Sequence, residues 1–287
     1  MDVVIDPGVP EDDARLLREN GELLARFRTG WVPEGRRKRL VGRVPDLAVV
    51  ALVCGLLVLA GMAINGSMIV VIIALAVFLG YFARQSVQEE AEQHRHVYDQ
   101  ARWYEGRYVL GSDLDESARR LLQRARWAVV SITDSEVNRE GLLDSVRNSV
   151  MLPAQEWEIA RLLAKLSDLR GKHRDTVSQG MTAELAAVAE PLARALDSSE
   201  EAVVARVEAL ERYAEHVAEA EAAFHAHRQV EELRSRLPEY EELVAEAGAG
   251  AVPELDRLAD DAGDLEQALR RSVSSAREAF GYLEPGA

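Results

Sequence analysis

Between Asp46 and Arg84 the chain carries no charged side chain, so Leu47 to Ala83 is a run of 37 uncharged positions. As a single straight helix this run would be about 55 Å long at roughly 1.5 Å per residue, against a hydrocarbon core of about 30 Å. The turn-forming cluster Asn65-Gly66-Ser67 divides it into stretches 47–64 and 68–83, of 18 and 16 residues. Two crossings are predicted, each near the short limit. A hairpin dipping into one leaflet is the thinner alternative, and full crossing is favoured because the polar backbone of the turn needs the water found only at an interface. The fold class expected from this run is an all-α integral membrane protein: a two-helix transmembrane hairpin plus a cytosolic helical bundle with antiparallel coiled-coil-like helices.

The flanks give the orientation. Arg36, Arg37, Lys38, Arg39 and Arg43 precede the first span and Arg84 closes the second, so the positive-inside rule predicts a multi-pass cell-membrane protein with both termini cytosolic. The same five cations are candidates for holding the N-terminal segment against anionic lipid. Met1-Asp2 opens an acidic segment, so a cleaved secretory signal is not expected. Ala51 and Gly55 on the first span and Ala76 and Gly80 on the second are small residues spaced four apart at matching depths, which suits close packing of the two helices. No ionisable residue lies within the run, which argues against proton or ion transport by the hairpin alone.

Outside the run the chain reads as four segments: an amphipathic and basic segment 1–43, the hairpin 44–84, a helical stalk and bundle 85–180, and a coiled-coil-like region 181–287. Strand signals are nearly absent, and Ala, Leu, Glu and Arg, which lose little rotamer freedom in helices, dominate. Leu16, Leu17, Leu23, Leu24 and Phe27 fall at helical spacing in a segment that suits either the membrane surface or packing on the cytosolic part. Leu114, Ala118, Leu121, Ala125, Ala128 and Ile132 form an apolar stripe behind the capping residues Ser112-Asp113 and Glu116. Pro153 suits the first turn of a helix carrying Ile159, Leu162, Leu163, Leu166 and Leu169 inward, with Gly180 as its terminator. Pro191 is expected to kink or shorten the next helix, and Asp197-Ser198-Ser199 to start another. Val203, Val207, Leu210, Ala214 and Val217 repeat in fours and threes, and Leu255, Leu258, Ala262, Leu265 and Leu269 do the same beyond the Gly248-Ala249-Gly250 bend. These two stripes are expected to fold back on each other.

Charge and motifs bound the function. Residues from 84 onward carry 25 basic and 40 acidic side chains, which opposes binding to nucleic acid and favours a protein partner with complementary positive charge. The single cysteine, Cys54, excludes a disulfide framework and multi-cysteine zinc sites. His94 and His96, and His225 and His227, lie two apart and so on different helix faces, while Glu221 and His225 share a face without a third ligand. Trp103, Trp127 and Trp157 are read as core fillers. No phosphate loop, dinucleotide fingerprint, zincin or nucleophile-elbow motif occurs, so no catalytic, cofactor-binding or metal residue is assigned and an enzyme is not expected. The expected function is a membrane-anchored scaffold or adaptor whose acidic helical domain binds a protein partner. The alternative is an oligomeric membrane effector that forms a pore or deforms the bilayer through its hairpin. The lipid bilayer and a second copy of the chain are the other expected partners.

Overall fold

The computed structural model describes residues 2–33, 92–178, 183–248 and 253–283, and the side chains of all of these except 183–186 and 253–262. The chain divides into two compact units, one formed by residue 1 with 10–106 and the other by 2–9 with 107–287.

In the first unit, α1 (Glu11–Glu19) and α2 (Gly21–Arg28) replace the single helix expected there. The break falls at Asn20, whose side-chain amide donates to the Leu16 carbonyl at 2.8 Å. The apolar stripe is spent inside the protein: Leu17 and Leu24 are fully buried, as are Val97 and Ala101 of α3 (92–103). Phe27 meets Tyr98 edge-on at 5.3 Å, Trp31 meets His94 at 6.0 Å, and the Tyr104 hydroxyl donates to Asp13 at 2.7 Å.

The second unit begins with a feature too short to register as a strand signal. β1 (Val3–Ile5) pairs antiparallel with β2 (Tyr108–Leu110), Val4 opposite Val109. Gly106, at φ +82°, turns the chain into β2, a conformation open to glycine at no steric cost. Arg126 ties this ribbon to the helices, pairing with Asp2 at 3.2 Å and donating to Glu156 at 2.8 Å.

The helices of this unit are α4 (Glu116–Asp134), α5 (Glu136–Arg139), α6 (Ser145–Ser178), α7 (Ala183–Ser235), α8 (Leu237–Glu246) and α9 (Pro253–Gly281). All six residues of the stripe expected on α4 and its lead-in are buried, and so is the α7 seam of Val203, Val207, Leu210, Ala214 and Val217. Ala125, Ala128, Ala160, Ala220 and Ala276 have no exposed surface, so α4, α6, α7 and α9 approach closely around one core. α9 folds back antiparallel on α7 as expected, with Tyr213 against Phe280 at 5.3 Å and His216 near Ser275. A chain of polar groups crosses this core. The Tyr213 hydroxyl donates to Asn148 at 3.0 Å, Asn148 donates to Asn138 at 2.8 Å, and Asn138 donates to the Thr133 carbonyl at 3.3 Å, so each buried amide finds a partner.

Three helix boundaries differ from expectation. The N-cap of α4 is Asp115, which accepts from the Ala118 amide at 2.8 Å, while Asp113 instead accepts from the Leu110 amide. α6 starts at Ser145, capped by Asp144 on the Arg147 amide at 3.0 Å, and runs through Pro153. α7 is continuous through Pro191 and through Asp197-Ser198-Ser199, where Ser199 bonds back to the Ala195 carbonyl instead of starting a helix.

The expectation of an integral, multi-pass membrane protein with cytosolic termini is corrected by this fold: among the described residues no helix is long and apolar enough to cross a membrane. At 34 and 53 residues, α6 and α7 have the length but carry charges on most turns. Each Arg, Lys or Asp at mid-bilayer costs on the order of 3 kcal/mol, which rules such helices out as spans. The hairpin stretches 47–64 and 68–83, the packing residues Ala51, Gly55, Ala76 and Gly80, and the cluster Arg36, Arg37, Lys38, Arg39 and Arg43 lie outside the described residues.

Burial raises the Asp115 carboxyl, but the Ala118 amide, the Ser117 hydroxyl and Arg170 outweigh it and hold the group below the usual carboxylate value. A carboxylate depressed in the folded state contributes stability above the unfolded value and loses it as pH falls through the folded one. Asp115→Ala is expected to lower unfolding stability by about 1 kcal/mol at neutral pH. In urea melts the gap between wild type and variant should shrink as pH drops below about 4.

Candidate functional site

α6 and α7 pack along each other, and their facing side chains become more exposed toward the 178 and 183 ends. Over the core, Leu163 and Leu166 of α6 and Val203 and Val207 of α7 are buried. Toward the tip, the inward faces run on without a third helix to cover them among the described residues. Leu169 is 40% exposed, Leu192 55% and Val188 61%, although their spacing is that of core positions. The result is an open groove of about 700 Å³, with Leu162, Leu166, Leu169, Val188, Leu192 and Leu196 along its floor and walls.

The rim is basic. Lys165, Lys172, His173 and Arg206 border the groove, which is unexpected in a chain of net charge −15. Its sign comes from α6, where residues 161–177 hold five Arg or Lys and two Asp. Lys172 is bridged to Asp168 at 2.6 Å one turn back, and Arg206 lies 4.0 Å from Glu158. Lys165 is exposed and faces no carboxylate within ion-pair distance among the described residues.

The groove's base is locked by charge. Arg170 of α6 hydrogen-bonds Glu200 of α7 and lies 3.6 Å from Asp115 at the head of α4, and the bond to Glu200 leads the effects that raise its guanidinium further. The Asp115 amide in turn donates to the Ser167 hydroxyl at 3.0 Å. Nearby, the hydrogen bond from Arg161 leads the effects that hold Glu158 below the usual carboxylate range. These bridges fix the spacing of α6 and α7 where the groove begins, so its two walls are set by the fold and not by an occupant.

The residues singled out from sequence fall elsewhere. His94 packs on Trp31, and Glu221 accepts from the Glu136 amide at 2.7 Å, helping to cap α5, with His225 3.5 Å from Glu136. Among the described residues no three His, Cys, Asp or Glu converge on a common point. Trp157 packs against the core, but Trp103 and Trp127 are exposed, contrary to the core role expected of them. Leu162 and Leu169, read as inward-facing, belong to the groove. The missed signal was the width of the α6 stripe: Ile159, Leu162, Leu163, Leu166 and Leu169 exceed what one packed face needs, and Lys165 stands in their midst.

Compared with known proteins, the chain matches no family model, no curated protein and no solved structure.

If the groove residues face solvent and do not hold the fold together, Leu192→Asn should change unfolding stability by less than about 0.5 kcal/mol. Leu163→Ala, one turn from the groove but fully inside, should cost about 2–5 kcal/mol. Urea midpoints of the two variants beside wild type check this contrast.

Proposed function

We propose that this chain is a scaffold or adaptor, a binding protein and not an enzyme, and that its α6–α7 groove takes up an amphipathic helix from a protein partner. The observation that supports this is the open, apolar, preformed groove with cations along its rim. An amphipathic helix laid along two others completes a three-helix seam and covers aliphatic side chains that the fold leaves wet. The partner's charge follows from the rim. Whole-chain charge argues for a basic partner, but Lys165, Lys172, His173 and Arg206 sit where an occupant would lie, so the helix that fits carries carboxylates beside its apolar face. Covering four or five aliphatic side chains at roughly 2 kcal/mol each, less the cost of association, corresponds to affinities on the order of micromolar.

A designed helical peptide with leucines at i, i+3, i+4 and i+7 and flanking glutamates is the probe, paired with one of identical apolar face and flanking lysines. Fluorescence anisotropy with the full chain should give binding of the glutamate peptide about tenfold tighter than of the lysine peptide, weakening with salt. Leu192→Glu should abolish it. Absence of binding, or equal binding of the two peptides, would refute the proposal.

A further inference from the structure

Segment 230–246, at the opposite end of α7 from the groove, has the chemistry that the groove demands. Val230, Leu233, Leu237, Tyr240 and Val244 follow the three-four spacing of a packing seam. The seam is only partly covered: Leu233 and Tyr240 are about half exposed, Val230, Leu237 and Val244 are half-buried, neighbouring Leu243 is exposed, and no residue of α8 is buried. Its flanks are acidic, with Glu231, Glu232, Glu239, Glu241, Glu242 and Glu246 against Arg234 and Arg236. Both arginines are paired within the segment, Arg234 with Glu231 at 3.5 Å and Arg236, at the turn between α7 and α8, with Glu232 at 2.7 Å. The four glutamates of α8 have no ion partner among the described residues.

We infer that the occupant of the groove is a second copy of this chain, which inserts segment 230–246; this rests on the reading of the groove as a helix-binding site. Length, charge period and reach agree. The groove walls run over residues 162–177 of α6 and 188–206 of α7, and the 17-residue segment matches that length. Lys165 and Lys172 lie seven residues apart, two helical turns, and so do Glu239 and Glu246. A chain cannot fill its own groove, because the continuous helix α7 between Arg206 and Val230, roughly 36 Å long, holds the segment away from it. Two copies laid antiparallel each receive the other's segment, and this reciprocal arrangement closes as a two-fold dimer and not as an open chain.

Sedimentation velocity of the full chain, with variants that reverse charge only at exposed positions, tests this. The double variant Lys165→Glu, Lys172→Glu and the double variant Glu239→Lys, Glu246→Lys should each weaken self-association about tenfold, and the chain carrying all four should recover it. A labelled peptide of residues 229–247 should bind the wild-type chain and be released by salt. A chain that stays monomeric, association indifferent to both double variants, or failure of the fourfold variant to recover it overturns the inference. If the glutamate-flanked designed peptide binds but peptide 229–247 does not, the second copy is the wrong occupant and the groove keeps its helix-binding role. If neither peptide binds, both readings fall.

Discussion

Everything in the larger unit hangs on one helix that is longer than the core it serves. α7 runs for 53 residues, yet its continuous buried seam extends only from Val203 to Ala220. α4, α6 and α9 pack on that stretch, and the alanines at their contacts allow the backbones to come close enough for dispersion to count over a long interface. Pro191, whose interior placement costs about 3 kcal/mol, and the serine-rich stretch 197–199 lie in the same helix before that packed stretch and do not interrupt it. Beyond the seam α7 overhangs at both ends. At one overhang its aliphatic side chains face α6 across an open gap; at the other they merge into the acidic α8.

Most helix faces were legible in the sequence. The α4 stripe, the α7 seam and the return of α9 after Gly248 follow directly from periodicity, because a buried face must repeat with the helix. Boundaries were less legible. Pro153 and Asp197-Ser198-Ser199 are local start signals, but hydrogen bonds and packing carry the helices through them, and only three-dimensional context decides between the two. The β1–β2 ribbon joins residues a hundred positions apart in strands of three, too short for any alternation to show. Trp103 and Trp127 were placed in the core on size alone, whereas the stripes around them point elsewhere. The long uncharged run dominated the assignment of fold class, and the described helices, charged on most turns, do not support the spanning role it suggested.

The groove was illegible for a different reason. Each of its walls reads as a core face, and the only mark of a missing third face is the extra width of the α6 stripe around Lys165. Net charge misled as well. A sum of −15 describes the field far from the protein, where all charges blend, but within a screening length of about 8 Å an approaching helix meets the α6 cations first. Local and global electrostatics therefore have opposite sign on this molecule, and it is the local one that selects an occupant.

The rim also has a reactivity unlike the rest of the molecule. Of 34 basic residues only Lys38, Lys165 and Lys172 carry a primary amine, and two of those three border the groove. Guanidinium groups keep their protons and resist acylation under conditions that modify amines. An amine-selective acylating reagent therefore strips positive charge from this rim while leaving the Arg126, Arg161 and Arg170 bridges that hold the helices together. The lysine share of the groove's charge can be removed chemically, in steps, on the unmutated chain, while Arg206 keeps its own.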